Sequence, residues 1–157
     1  MKIAIISDTH DNLKNLEKFL SWLKKEGGSI LIHCGDVCRM DTLLKISQDF
    51  EGKIYLVFGN AEIEIEKDLI FNLTKKNPGI ILSEKWGEIK LTGKKIAFAH
   101  SYEQAKVLAQ SKKYNFVFFG HTHKPWKEKI DQCLLVNPGN LANLYYQATF
   151  AVLDLEN

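Results

Sequence analysis

Residues 2–10, Lys2-Ile3-Ala4-Ile5-Ile6-Ser7-Asp8-Thr9-His10, decide how this chain is read. Residues 3–7 form a short apolar run without polar alternation, the pattern of a strand covered on both faces. The run breaks into Asp8-Thr9-His10, and from about Asn12 the period changes. Leu13, Leu16, Leu20 and Leu23 then share one face of a helix, which Gly27-Gly28 stops. The same order of apolar run, polar turn and amphipathic segment recurs twice. Residues 30–34 read as a second strand followed by an amphipathic stretch over 41–50. Residues 53–58 read as a third, followed by a helix over Glu64–Lys76 that Asn77-Pro78-Gly79 ends.

From Ile80 the pattern changes to closely spaced strands at Ile80–Ser83, 88–91 and 95–99. Gly87 separates the first two, and Thr92-Gly93-Lys94 is the turn between the others. Ser101-x-x-Gln104 is a capping-box pattern that opens a helix with Ala105, Leu108 and Ala109 on one face. Residues 115–119 are nearly all apolar, as in a central strand, and strands at Trp126–Ile130, 133–136 and 148–153 close the chain. A parallel start followed by many strands predicts an α/β fold of two packed sheets flanked by helices. No linker, repeat or low-complexity segment divides residues 1–157, so one domain is expected.

With 157 residues, the chain is long enough to bury a core without disulfides. The net charge of +2 has Lys and Glu interspersed, unlike the basic stripe of a dedicated nucleic-acid binder. Cys34, Cys38 and Cys133 form no framework, which predicts reduced thiols and a cytoplasmic protein. Cys34 and Cys38 bracket Asp36, but no second Cys/His pair follows at finger-like distance, which argues against structural zinc. The start is too short and too soon polar for a signal peptide, and no apolar run could span a bilayer.

Chemistry gathers where the strands end. Asp8 and His10 follow the first, Asp36 the second, Asn60 the third, His100 the run 95–99, and His121 and His123 the run 115–119. Open α/β sheets collect ligands just past strand ends, so five strands could deliver these seven side chains to one edge. Gly35, Gly59 and Gly120 precede ligands, consistent with backbone passing close to bound metals. Hard and borderline donors in this number suit two divalent cations side by side, which can clamp the attacking and leaving oxygens of an in-line displacement. Two such ions with two aspartates and a hydroxide keep a net positive charge, which suits a phosphodiester anion.

Asp-x-His, Gly-Asp, Gly-Asn, a lone His and Gly-His-x-His, in this order, resemble the calcineurin-like metallophosphoesterase superfamily. Ser7-Asp8-Thr9-His10 and Asn137-Pro138-Gly139, with the chain length, resemble its small bacterial and archaeal phosphodiesterase branch. The resemblance implies a four-layer α-β-β-α sandwich of two mixed sheets flanked by helices. By position, it implies one metal on Asp8, His10 and His123, a bridge through Asp36, and a second metal on Asn60, His100 and His121. His100, Asn60 and Asp36 are the candidate catalytic residues around a metal-bound hydroxide. Relatives commonly take manganese, and Ni2+, Fe2+, Zn2+ or Mg2+ are compatible with these donors.

Two departures bear on substrate. Ala61 stands where many phosphatase relatives carry a His that can assist the leaving group, which favours diesters over simple monoesters. Glu62 keeps the acid common at the next position without the His it would orient. His100 is followed by Ser101-Tyr102 where relatives often carry Gly-His. The expected partner is a small phosphodiester, with a homodimer or higher homo-oligomer left open. A phosphatase or nuclease on the same site is the enzymatic rival, and a non-catalytic metal-binding scaffold, like the retromer subunit of this fold, is the other.

Several residues carry competing readings. Asp11 and Asn12 read as helix N-caps, and His33 as a satisfied core histidine with a role behind the ligands as the alternative. Arg39 is equally a substrate-phosphate ligand and a solvated surface residue. For Trp126 and Leu144-Tyr145-Tyr146, core packing is favoured over a substrate cleft or subunit interface. Lys24-Lys25 and Lys112-Lys113 read as helix-end charges facing water.

Overall fold

The computed structural model describes residues 1–155. The elements run β1 (Lys2–Ile6), α1 (Leu13–Lys25), β2 (Ile30–His33), α2 (Met40–Asp49), β3 (Lys53–Val57), α3 (Glu64–Lys76) and β4 (Ile80–Ser83). They continue with β5 (Trp86–Leu91), β6 (Lys94–Ala99), α4 (Tyr102–Gln110), β7 (Phe116–Phe118), β8 (Trp126–Ile130), β9 (Cys133–Asn137) and β10 (Ala151–Asp154). One sheet has the order β10-β1-β2-β3-β4, parallel from β1 to β4 with β10 antiparallel on β1. The other, β5-β6-β7-β9-β8, has a parallel centre and antiparallel edges.

Successive residues of a strand point to opposite faces, so the run in β1 feeds two seams at once. Ala4 and Ile6, with Leu31, Ile54 and Leu56, meet Leu16, Leu20 and Leu23 of α1, Leu43 and Ile46 of α2, and Ile70 of α3. Ile3 and Ile5, with Ile30 and Ile32, face the second sheet at Ile89, Ile96, Phe98 and Phe118. Beyond that sheet, Ala97, Val117 and Leu135 cover Ala105 and Ala109 of α4. Three seams between four layers make the expected α-β-β-α sandwich. β7, as its composition predicts, is central in its sheet.

The details differ at several places. The buried face of α1 includes Phe19, while Leu13 is exposed in the first turn. Asn12 caps α1 by accepting from Asn15 N–H at 3.1 Å. Asp11 does not cap its own helix: its Oδ1 accepts from Arg39 N–H at 3.3 Å and from Thr42 Oγ1, so it caps α2 from across the fold. That placement supplies what Arg39, at the N-cap position of α2 with no side-chain cap, cannot. Gly87 lies inside β5, not between β4 and β5, and is glycine there because a Cβ would strike the Phe98 ring. The last strand starts at Ala151, later than the expected 148. Asn140 and Asn143 side chains hold the preceding residues as a loop by accepting from Leu144 and Ala148 N–H. No helix among the described residues is long and apolar enough to cross a membrane.

Candidate functional site

The loops after β1, β2, β3, β6 and β7 meet at one edge, knitted by backbone bonds between strands far apart in sequence. Asp8 N–H donates to Gly35 C=O at 3.0 Å, His10 N–H to Asp36 C=O at 3.1 Å, and Gly120 N–H to His100 C=O at 3.0 Å. All seven side chains singled out in the sequence converge there in two sets.

Asp8, His10, Asp36 and His123 each offer an atom within 4.8 Å of the others. His10 Nε2 is 3.2 Å from His123 Nε2 and 3.4 Å from Asp36 Oδ2, and His123 Nε2 is 3.3 Å from Asp8 Oδ1. The second set centres on Asn60 Oδ1, which is 2.9 Å from His100 Nε2 and 2.7 Å from His121 Nδ1. Asp36 joins the two, because its other oxygen, Oδ1, is 3.5 Å from His100 Nε2. Asp8 and Asp36 are buried, whereas Asn60 and His121 face solvent, so the second set is the accessible side.

The donor chemistry fits cations. His100 Nδ1 donates to Cys34 C=O at 2.8 Å, which turns Nε2 toward two oxygens, Asn60 Oδ1 and Asp36 Oδ1. His123 Nδ1 is buried without a hydrogen-bond partner among the described residues. Lone pairs that face each other repel unless a proton or cation stands between them. Donors about 2.1 Å from one ion stand about 3.0–3.4 Å apart, the spacing of the first set, while the second set is drawn closer around Asn60 Oδ1, at 2.7 and 2.9 Å. Burial pushes the Asp8 carboxyl up to about 7, so its charged form gains from a neighbouring cation, and lowers His10, which favours the neutral imidazole that can ligate one.

The backbone is strained where the candidate ligands sit. Asp8 (φ 51°), His10 (42°), Asp36 (58°), His121 (68°) and His123 (60°) all adopt the left-handed region that side chains disfavour. These glycines leave room for the candidate ligands: a Cβ at Gly35 would collide with His100 Nδ1, one at Gly59 with the Asp36 carboxylate, and one at Gly120 with Ser7 Oγ and Asp8. Asp36 Oδ1 also accepts from Ala61 N–H at 2.8 Å.

Behind the ligands lie residues whose roles the sequence did not declare. Glu62, 3% exposed, accepts from Cys38 N–H at 3.0 Å and Gly59 N–H at 2.6 Å, tying the Asp36 loop to the Asn60 loop. Asn137 Nδ2 donates to Gly120 C=O at 2.8 Å and Thr122 Oγ1 at 3.0 Å, and Asn140 Nδ2 to His123 C=O at 3.1 Å. The Asn137-Pro138-Gly139-Asn140 stretch thus holds the paired-histidine loop, and its two asparagines around a Pro-Gly turn were the available signal. His33 is the core histidine expected: Nδ1 accepts from Gly35 N–H at 3.2 Å, so Nε2 carries the proton toward Thr9 Oγ1 at 2.8 Å. Burial lowers its pKa to about 3, which keeps it neutral.

Arg39 stays at the surface, its side chain 71% exposed and its Nε 3.6 Å from Asp11 Oδ2. The aromatic expectation is overturned. Trp126 is 38% exposed, Tyr146 45% and Tyr145 93%, because β8 is an edge strand and residues 144–146 lie in the surface loop that Asn140 pins. The Tyr145 ring centroid is 5.7 Å from that of His123.

Comparison with known proteins shows the family and the fold. A phosphodiesterase from Methanocaldococcus jannaschii is 29% identical over 161 residues, covering 99% of this chain and 94% of the relative. A solved structure described as a novel archaeal phosphodiesterase superposes with a TM-score of 0.89 at 28% identity, over 99% of this chain and 94% of the other. Vacuolar protein sorting 29 from Cryptosporidium parvum shares the fold, with a TM-score of 0.67 at 17% identity over 88% of this chain and 74% of that one. The family model described as the calcineurin-like phosphoesterase superfamily domain matches residues 1–157, and the chain belongs to that superfamily.

Proposed function

We propose that the protein is a metal-dependent phosphodiesterase with two adjacent cation sites. The observation that carries the reading is the division of Asp36: one oxygen faces His10, the other His100, between two sets of oxygen and nitrogen donors. Asp8, His10 and His123 would hold one cation and Asn60, His100 and His121 the other, with Asp36 shared. When bound, such ions supply Lewis acidity toward phosphoryl oxygens and acidify a water to near neutrality. Manganese is our first choice among metals, and the donors also admit Ni2+, Fe2+, Zn2+ or Mg2+.

The chain's own groups set what reacts. Solvent-facing Asn60 and His121 leave room for a phosphate on their side, and His100, fixed by Cys34 C=O, keeps its Nε2 toward it. Ala61 carries no proton to give a leaving oxygen, so esters with a good leaving group and a single negative charge are favoured over alkyl monoesters. Arg39, whose exposed side chain lies 3.6 Å from Asp11 Oδ2, would be a candidate phosphate ligand. The relatives named phosphodiesterase support the same reading, and the three free cysteines fit a reducing, cytoplasmic setting.

The test compares bis(4-nitrophenyl) phosphate with 4-nitrophenyl phosphate on Mn2+-loaded protein beside Asp36→Ala and His100→Ala. Metal-dependent turnover biased to the diester, lost in both variants, is expected. No metal-dependent turnover, or variants that match the parent, would favour the scaffold reading; a bias to the monoester would favour the phosphatase.

A further inference from the structure

An aromatic cavity of about 270 Å³ opens beside the paired-histidine loop, lined by Tyr102, Phe119, Thr122, Lys124, Trp126 and Tyr146. Its walls are rings in mutual contact: Tyr102 and Phe119 stand at 74° and 77° to the Trp126 indole, with centroids 5.9 and 6.0 Å from it. Thr122 sits in the chain between His121 and His123, and Phe119 directly precedes Gly120, so the cavity shares its wall with the candidate centre. Asn140 Nδ2 donates both to His123 C=O and, at 3.2 Å, to Tyr146 C=O, which pins the tyrosine-bearing loop to the histidine loop. Trp126 and Tyr146 keep 38% and 45% of their surface exposed, although an indole and a phenol gain most from burial.

We propose that this cavity is the subsite for a nucleobase, so that the physiological substrate is a phosphodiester bearing a nucleoside on the side that is not the leaving group. The proposal rests on the phosphodiesterase reading above. Perpendicular ring walls accept a planar ring by stacking on one wall and edge contact with another. Thr122 and Lys124 add polar groups of the kind a base's carbonyls and ring nitrogens need, which a plain hydrocarbon ring would leave unused. The volume lies just below the roughly 300–1,000 Å³ of pockets that enclose a drug-sized ligand, which suits one base rather than a stacked pair. The departure at Ser101-Tyr102 gains a reason, since Tyr102 is a wall of the cavity.

The experiment uses the full chain with Mn2+ and two diesters that share the 4-nitrophenolate leaving group: thymidine 5′-(4-nitrophenyl phosphate) and methyl 4-nitrophenyl phosphate. Trp126→Ala and Tyr102→Ala should each lower kcat/KM for the thymidine ester about tenfold, the scale of one base–aromatic stack, with the methyl ester changed by less than about twofold. Trp126→Phe should restore most of the loss. Equal losses on both esters, or none on the thymidine ester, overturn the proposal. So does a Trp126→Ala variant whose only change is in oligomeric state, since the surface would then belong to a second copy.

A readout without turnover separates the two claims. In 15N-labelled protein with Mg2+, thymidine 5′-monophosphate should shift the Trp126 indole N–H resonance, and ribose 5-phosphate should not. If that shift occurs while no diester is hydrolysed, the phosphodiesterase reading fails and the base subsite stands. If diesters are hydrolysed and the indole does not respond to the nucleotide, the subsite fails alone.

Discussion

Replacing Glu62 by Gln removes a fastener rather than a ligand. Both carboxylate oxygens are engaged, Oε1 by Cys38 N–H at 3.0 Å and Oε2 by Gly59 N–H at 2.6 Å, and the side chain is 3% exposed. An amide can accept at only one of the two positions; at the other its NH2 opposes an N–H, and two donors meet without an acceptor. Losing one charge-assisted bond and stranding a buried donor costs about 2–4 kcal/mol, which at about 2–4 °C per kcal/mol lowers the melting temperature by roughly 5–15 °C. Cys38 lies two residues past Asp36 and Gly59 directly before Asn60, so the two loops part and both sets of donors widen. A loss of about 10–100-fold in cation affinity is expected from such an outer partner. The assay is a pair of thermal melts, with and without Mn2+, and a calorimetric titration. Glu64→Gln is the control, since that side chain is 89% exposed and bonded only to Lys67 in this stretch. If Glu62→Gln melts with the control and binds Mn2+ as tightly as the parent, the loop-fastening argument is wrong.

Three more expectations follow from named groups. His33 has its pKa lowered to about 3 from 6.5 by burial, so the unfolded chain takes up a proton that the folded chain refuses. Its contribution is full above about 6.5 and falls by roughly 1.4 kcal/mol per pH unit on acidification toward about 3; His33→Gln should flatten that limb of a melting-temperature profile, and an unchanged slope refutes the assignment. Asp8, pushed up to about 7 by burial, must release its proton to a cation. Metal affinity should therefore climb with pH up to about 7 and level off above it, with proton release visible as a buffer-dependent binding enthalpy; a flat profile from pH 5 to 7 contradicts it. Gly59→Ala puts a methyl against the Asp36 carboxylate, and a fold that tolerates it at about 1–3 kcal/mol should still bind cations more weakly in the same titration.

The sequence by itself determined the layers and the cast of the site. The unbroken apolar run of β1 needs cover on both faces, the periodicity of α1 offers one covering face, and each donor lies just past a strand, where parallel sheets leave their edge open. Motif order then named the superfamily. What only the tertiary structure decided are relations between segments distant in the chain. Asp11 caps α2 and not its own helix, because loop packing carries it to Arg39 and Thr42. Glu62 and the two asparagines of residues 137–140 act on loops up to 24 residues away, and no local pattern encodes those partners. The exposed rings of Trp126 and Tyr146 read as core from composition, since hydrophobicity says how much a ring gains from cover but not whether an edge strand and a pinned loop provide it. The left-handed backbone at five of the candidate ligands was equally invisible. It is strain that only surrounding structure can hold, and that structure turns a row of strand ends into facing donors.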